Sequence, residues 1–206
     1  YGFVYCCLPT HIPEDQTPMQ RLLSLYNGTD ISTADLLFIM SKVERLFVKK
    51  GQLIGVPGEV CEQMFVIESG LFRCYMEEDG KEYTLFFRQE GEILTDFRSF
   101  IRKEPAQLFM QALEDAELYR LHASHLQEIY ARVPAMGQFN HQTLQNYYVR
   151  LLDSFTNLFA GDAKRRFIRF AEHHADILQR VPQHMIANYL RITPTHLSRL
   201  KRQQIK

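Results

Sequence analysis

The sequence predicts an α+β protein: an N-terminal β-roll or jelly roll of about eight strands with flanking helices, a long helix, and a C-terminal helix-turn-helix. Three observations support this prediction. Short apolar runs separated by turn residues occupy the region from Val43 to Leu121. Helical periodicity over a long stretch begins only after Ser124. The final segment, Val181 to Lys206, has the pattern of two short helices joined by a tight turn.

The β-roll prediction depends on closely spaced turn signals. Two short helices, Met19–Tyr26 and Ser32–Ser41, come first, and Asp30 or Ser32 is suited to cap the second. Strand-like runs then alternate with turns, of which Asp79-Gly80 is the strongest hairpin signal. Because these runs are short and lie close together, we expect them to form one roll. The other turn signals are Lys50-Gly51, Pro57-Gly58, Ser69-Gly70 and Glu90-Gly91.

A long helix from about Ala135 to Phe159 follows the roll and ends before Gly161. Its apolar residues recur at spacings of three and four, which is typical of a coiled-coil seam. A single amphipathic helix buried within one chain is the alternative, but we expect a parallel dimer. The predicted dimer seam begins at His141 and comprises Leu144, Tyr148, Leu151, Phe155 and Leu158.

Gly161-Asp162 breaks this helix and is the predicted hinge. The expected divisions are therefore a β-roll over residues 1–134, a dimerisation helix over 135–160 and a helix-turn-helix domain over 161–206.

The tail has local signals for both helices. Pro182 suits a first helical turn, and Met185, Ile186, Tyr189 and Leu190 give one apolar face. Thr193 is a good N-cap before Pro194, and Leu197 and Leu200 would point inward from the second helix. Arg191 stands where such turns often carry glycine, so it needs a compensating local contact. We expect the DNA-binding residues to be Thr195, His196, Ser198, Arg199, Lys201, Arg202 and Arg191.

Charge is distributed unevenly, although the net charge of the chain is zero. Residues 161–206 contain ten Lys and Arg against three Asp and Glu, whereas the preceding 160 residues contain 14 basic and 21 acidic residues. A basic C-terminal module on an acidic body is typical of a DNA-binding end. Arg199 is suited to bind guanine with two hydrogen bonds, while Arg191, Lys201 and Arg202 would bind phosphates.

Several other classes are disfavoured. The sequence has no apolar run long enough to span a membrane, and its apolar opening lacks the basic flank of a signal peptide. Cys6, Cys7, Cys61 and Cys74 have neither a metal-site spacing nor a C-x-x-C motif, so a reduced cytoplasmic setting is expected. The region from Val43 to Leu121 has no histidine for a cupin metal site, and no catalytic grouping occurs. We expect neither an enzyme nor a bound metal or cofactor.

This order of elements resembles the Crp/Fnr family of bacterial transcription regulators. The resemblance spans nearly the whole chain: the glycine turns, the seam from His141 to Leu158, and the tail from Ile186 to Arg199. It implies a cyclic-nucleotide-binding-type roll, a homodimer, a winged helix-turn-helix and double-stranded DNA as partner, with RNA polymerase as a further partner. The sequence after the second helix is too short for a wing, so a wing would lie elsewhere or outside this sequence.

The same resemblance places a ligand pocket around Gly91, Glu92, Asp96 and Arg98. Asp96 falls where family members that bind cyclic AMP use an acidic residue for the ribose. The Arg that would neutralise the phosphate is replaced by Ala106. A buried phosphate without a cationic partner is costly, so we expect no ordinary cyclic AMP binding.

The predicted function is therefore sequence-specific DNA binding by a dimeric transcription regulator whose effector is unknown. The alternative is a ligand-sensing dimer whose tail contacts a protein instead of DNA.

Overall fold

The computed structural model describes residues 31–204, and within them eight strands form the roll that the sequence predicts. The predicted helix at Met19–Tyr26, together with Cys6 and Cys7, lies outside these residues. The strands are β1 Val43–Val48, β2 Leu53–Gly55, β3 Gln63–Ser69, β4 Phe72–Glu78, β5 Lys81–Arg88, β6 Ile93–Leu94, β7 Phe109–Ala112 and β8 Ala116–His122.

The strands form two four-stranded sheets, in the orders β1-β8-β3-β6 and β2-β7-β4-β5. Strand β8 is central in the first sheet and pairs antiparallel with β1, Val43 opposite Leu121, and with β3, Met64 opposite Leu121. The second sheet ends at β5, so one edge of β5 has no neighbouring strand in this order. Fully buried side chains fill the roll: Ile67, Leu71, Phe72, Cys74, Leu94 and Leu118.

Gly70, in the predicted Ser69-Gly70 turn, is at a position that requires glycine. Its φ is +100°, and a Cβ built there would lie 2.5 Å from the Cβ of Ala116. Both the backbone conformation and the close approach of the β7–β8 connection therefore require glycine. The sequence prediction identified the turn but not this packing constraint.

Eight helices accompany the strands within residues 31–204. The helices are α1 Thr33–Ser41, α2 Phe97–Arg102, α3 Ala123–Arg132, α4 Ala135–Ala160, α5 Ala163–His173, α6 Ile177–Arg180, α7 Gln183–Tyr189 and α8 Pro194–Gln204. Ser32 caps α1, because its side chain accepts a hydrogen bond from the Asp35 N–H, and so resolves the choice between Asp30 and Ser32. Helix α2 was not predicted from the sequence.

A small core joins α1 to the start of α4. Ile39 of α1 packs with Ile129 and Val133, at the end of α3, and with Met136 of α4. All four side chains are buried, so this cluster stabilises the helices that flank the first sheet.

The C-terminal helices have their own buried core. Phe167 and Phe170 of α5, Ile186 and Ala187 of α7, and Leu197 and Leu200 of α8 are the main buried residues. Ala187 has no exposed surface. Pro182 is the N-cap of α7, not a residue of its first turn, and this corrects the predicted start by one position.

The chain divides into two compact units. One contains the described residues up to Cys74 together with Phe87–Asn146, and the other contains Tyr75–Phe86 together with Tyr147–Lys206. We call Tyr75–Phe86 the hairpin segment, because it comprises the outer parts of β4 and β5 and the turn between them. None of the helices in the described part of the chain combines the length and apolar character needed to cross a membrane.

Candidate nucleic-acid interface

The tail forms the two helices and the turn that its sequence predicts. Helix α7 ends at Tyr189, with Leu190 as its C-cap, and α8 begins at Pro194. Thr193 is the expected N-cap, since its Oγ1 accepts a hydrogen bond of 3.2 Å from the His196 N–H. The Ile192 N–H donates to the Ala187 carbonyl at 3.0 Å and closes the turn. These contacts fix the direction in which α8 leaves α7.

Arg191 adopts the conformation that usually favours glycine. Its φ is +57°, which is in the left-handed region. The expected compensating contact is present, because the Arg191 guanidinium lies over the Tyr83 ring, 5.1 Å from its centroid. Arg191 is exposed, but its guanidinium contacts the Tyr83 ring. A residue that binds phosphate was expected to extend into solvent instead.

Three of the predicted DNA-binding residues lie on the exposed face of α8. Thr195, Arg199 and Arg202 are exposed on α8, on the side away from buried Leu197 and Leu200. We call these three residues the polar face. His196, Ser198 and Lys201 are half-buried and flank it. The polar face thus combines two guanidinium groups and a hydroxyl, which are donors suited to guanine edges and to phosphate oxygens.

Arg166 of α5 connects the hinge to this motif. Its Nε donates to the Leu190 carbonyl at 3.1 Å, and its Nη1 donates to the Gly161 carbonyl at 2.6 Å. Leu190 is the C-cap of α7 and Gly161 is the predicted hinge, so one side chain satisfies the carbonyls at two helix ends. Arg166 could not be identified from the sequence, because no local pattern distinguishes it from the neighbouring basic residues.

Asn188 makes a second contact that the sequence analysis missed. Its Oδ1 accepts a hydrogen bond of 2.6 Å from the Thr84 N–H, and its Nδ2 donates to the Glu82 carbonyl at 2.8 Å. The hairpin segment and the helix-turn-helix therefore meet through backbone groups of β5. These partners lie more than a hundred positions apart in the sequence, so no local pattern could indicate the contact.

The predicted dimer residues lie on one solvent-exposed stretch of α4. The exposed fractions are 38% for Leu144, 61% for Tyr148, 53% for Leu151 and 61% for Phe155. Leu158 lies in α4, but its side chain is not among those that the structure describes. Val149, Leu152 and Phe159 are also exposed and widen the apolar surface beyond a narrow two-stranded seam.

The predicted ligand segment is organised by Asp96. This side chain is buried and caps α2, with Oδ1 accepting from the Ser99 N–H at 3.1 Å and Oδ2 accepting from the Gln107 N–H at 3.0 Å. The carboxylate therefore closes the loop that leads into β7. The residue that the resemblance assigns to a ribose has a structural role here. The backbone N–H of Ala106 also donates to the Glu59 carbonyl, so its position is a packed connection.

The other three pocket candidates have separate hydrogen-bond or ion-pair partners. Arg98 is on the outer side of α2, where it bonds Gln107 and pairs with Glu104 at 3.3 Å. It lines an open depression with Phe97, Ile101 and Arg102. Glu92 is 3.8 Å from Arg88 and accepts from the Gln89 N–H, while the Gly91 N–H donates to the Ile67 carbonyl. Arg98 is therefore already engaged by a carboxylate.

The described cysteines have different environments. Burial raises the pKa of the Cys74 thiol to about 12, despite the opposing effect of nearby Arg88. Cys74 is thus a protonated core residue. Cys61 is half-buried in the loop before β3. Within residues 31–204, no three His, Cys, Asp or Glu side chains gather as metal ligands would.

The sequence was compared with protein families and with curated proteins. Residues 45–133 match the model of the cyclic nucleotide-binding domain family. No curated protein matches the sequence.

Several solved regulators are similar in fold. A CooA variant from Carboxydothermus hydrogenoformans is 21% identical, with a TM-score of 0.64 over 88% of this chain and 83% of that one. The c-di-GMP-responsive regulator CLP from Xanthomonas campestris is 16% identical, with a TM-score of 0.68 over 84% and 92%. The catabolite activator protein from Thermus thermophilus is 19% identical, with a TM-score of 0.55 over 87% and 85%. The expected resemblance is confirmed: residues 45–133 match the cyclic nucleotide-binding domain, and the chain shares its fold with solved proteins that include a Crp/Fnr family regulator from Eubacterium rectale.

Proposed function

We propose that the protein is a dimeric, sequence-specific DNA-binding transcription regulator. The observation that carries this proposal is the polar face of α8, which presents Thr195, Arg199 and Arg202 to solvent on a helix fixed by the Thr193 cap and the buried Leu197. The second helix of such a motif lies in the major groove, and its side chains contact base edges. The basic excess of residues 161–206 favours a polyanionic partner.

Each predicted DNA-binding side chain has a proposed role. Arg199 and Thr195 contact bases, with His196 and Ser198 as supporting contacts, and Lys201 and Arg202 bind phosphates. Arg191 joins the phosphate contacts only when it leaves the Tyr83 ring. A regulator of this kind acts in the cytoplasm, where its DNA lies, and RNA polymerase is a further expected partner.

The dimer is proposed from the exposed apolar surface of α4. Burying Tyr148, Leu151 and Phe155 against a second copy removes large apolar side chains from water, which stabilises association. Two copies then present two α8 helices to major-groove half-sites about one helical turn apart. We retain residues 135–160 as the dimerisation helix, 1–134 as the sensing domain and 161–206 as the DNA-binding domain.

We propose that the sensing domain does not bind ordinary cyclic AMP. Asp96 is already hydrogen-bonded to two backbone amides, and Ala106 offers no positive charge for a cyclic phosphate. Arg98 is paired with Glu104 on the outer side of α2. The expected outcome is that cyclic AMP leaves both DNA affinity and thermal stability unchanged.

Arg199→Ala tests the DNA-binding proposal, with Arg102→Ala on α2 as the matched control. If Arg199 binds guanine with two hydrogen bonds, its loss reduces the preference for operator over random duplex by about 1–3 kcal/mol. Fluorescence anisotropy on both duplexes, over a range of salt concentrations, measures this preference. The control should retain it.

Two results would contradict the proposal. Equal weakening on both duplexes would make Arg199 a phosphate contact. Duplex binding without a marked salt dependence would favour the alternative in which the tail contacts a protein, because counterion release accompanies phosphate binding.

A further inference from the structure

Asn188 recognises backbone, not side chains, in the hairpin segment. Its carboxamide accepts from the Thr84 N–H and donates to the Glu82 carbonyl, at 2.6 and 2.8 Å. Both distances fall within the ordinary range for protein hydrogen bonds or slightly below it. A side chain of α7 is therefore joined to two positions of β5 by a donor and an acceptor at once.

The geometry matches that of a strand edge. Residues two apart in a strand direct their backbone groups to the same edge, and β5 ends its sheet. Such an edge exposes N–H and C=O groups that need partners. A carboxamide carries the same donor and acceptor as a peptide group, so Asn188 pairs with β5 as one residue of an added strand would. Thr84 is only 1% exposed, which agrees with a tight contact at this edge.

Arg191 strengthens the same contact. Its guanidinium lies over Tyr83, the residue between Glu82 and Thr84. Arg191 belongs to the turn of the helix-turn-helix, one helical turn after Asn188. Three consecutive residues of β5 are thus held by two residues at the end of α7 and in the turn.

The charge of the hairpin segment indicates that this contact weakens DNA binding. The hairpin segment contains four acidic residues and a single lysine, and the acidic tip Glu77, Glu78 and Asp79 is exposed. Held against the helix-turn-helix, these carboxylates repel DNA phosphates. The ring contact also removes Arg191 from the set of cations available for phosphate. The polar face of α8 remains exposed, so the contact weakens binding without covering the predicted base-contacting residues.

We propose that Asn188 is the latch of an autoinhibitory contact, in which the hairpin segment holds Arg191 and keeps an acidic tip beside the helix-turn-helix. This inference rests on the proposed DNA binding. When the latch opens, Arg191 becomes a phosphate contact and the acidic tip moves away. The apparent affinity for DNA is then set by the fraction of molecules with the latch open.

Two variants open the latch from opposite sides. Asn188→Ala removes both hydrogen bonds, and Tyr83→Leu removes the aromatic face without changing the helix-turn-helix. Gln183→Ala is the matched control, since it shortens an exposed amide on the same helix α7. Circular dichroism confirms that each full-length variant is folded. Hydrogen exchange of the hairpin segment reports opening, because the Thr84 amide loses its partner in Asn188→Ala.

Anisotropy with a mixed-sequence duplex of about 30 base pairs measures DNA affinity for every variant. We expect Asn188→Ala and Tyr83→Leu to bind about fivefold more tightly or better, and Gln183→Ala to match the wild type. The slope of log affinity against log salt should steepen by about one unit as Arg191 engages a phosphate. Adding Arg191→Ala to Asn188→Ala should reverse that steepening.

The outcomes separate the latch from the proposed function. Faster exchange at the hairpin segment with unchanged or weaker DNA binding would overturn the latch while leaving DNA binding established. If hydrogen exchange of the hairpin segment in Asn188→Ala stays as slow as in the wild type, the latch would also be overturned, because the contact would not depend on Asn188. Absence of duplex binding by the wild type and all variants would overturn the proposed function, and the latch with it.

Discussion

Arg166 offers the sharpest test of how the C-terminal unit is held together. Its guanidinium bonds the carbonyls of Leu190 and Gly161, at 3.1 and 2.6 Å. Hydrogen bonds to charged groups contribute about 1.5–3 kcal/mol each, and a half-buried guanidinium loses part of that to water. We therefore expect Arg166→Ala to lower the free energy of unfolding by about 2–3 kcal/mol.

Urea unfolding, followed by the helical circular dichroism signal, measures this loss. With a denaturant slope of about 2 kcal/mol per molar, the midpoint of the transition should fall by about 1 M or slightly more. Arg166→Lys should fall between wild type and Arg166→Ala, because one ammonium group does not replace two differently placed guanidinium donors. Arg165→Ala, which changes an exposed arginine on the same helix, is the control.

The result that would refute this account is a match between Arg166→Ala and Arg165→Ala. A difference within about 0.5 kcal/mol would mean that water replaces both hydrogen bonds without cost. The link from the hinge to the end of α7 would then not depend on this side chain.

Three further predictions concern other elements. Leu151→Lys should convert dimers to monomers in sedimentation velocity, whereas Asp153→Lys, off the apolar stripe of α4, should not; a surviving dimer would exclude this seam. Asp162 caps α5, because its Oδ1 accepts a hydrogen bond of 2.8 Å from the Arg165 N–H, so Asp162→Ala should destabilise the helix by about 1 kcal/mol in thermal unfolding while Asp162→Asn keeps most of the cap; equal losses in both would contradict the capping role. The hydrogen bond from Lys49 lowers the pKa of Asp115, so its stabilisation is present above the ordinary carboxyl pKa and is lost as pH falls through the lowered one. Asp115→Asn should remove that part of the acid unfolding profile, and an unchanged profile would count against the ion pair.

Local signals were sufficient for the helix-turn-helix. Thr193 and Pro194 mark a helix start by capping and fixed φ, and both act there in the structure. Leu197 and Leu200, three positions apart, are both buried. These features depend on neighbours within one or two helical turns, so the sequence contains what is needed to predict them.

Helix α2 shows where periodicity is insufficient. It has six residues, Phe97–Arg102, and its apolar Ile101 is 66% exposed, so no buried stripe marks it. Its start depends on Asp96, which the family resemblance assigned to a ligand. An acidic residue can cap a helix or bind a hydroxyl with the same oxygens, and the sequence does not distinguish these uses.

Contacts between segments that are distant in the sequence could not be predicted, because they involve backbone atoms. Asn188 and Arg166 are ordinary polar residues on amphipathic helices, and their partners are backbone atoms. Backbone groups carry no sequence identity, so no pattern in Glu82 to Thr84 indicates a partner. Arg191 was different, because its unusual place in the turn predicted a compensating contact, although not that Tyr83 would supply it.

Selection of bound duplexes from a random DNA pool by the full chain tests the central claim most directly. The account predicts enrichment of an inverted repeat whose half-sites are centred about one helical turn apart, because a two-fold dimer presents two α8 helices. Cyclic AMP should not change the selected sequence. A pool that shows no enrichment over its starting composition, or a single unpaired half-site, would contradict a dimeric, sequence-specific regulator.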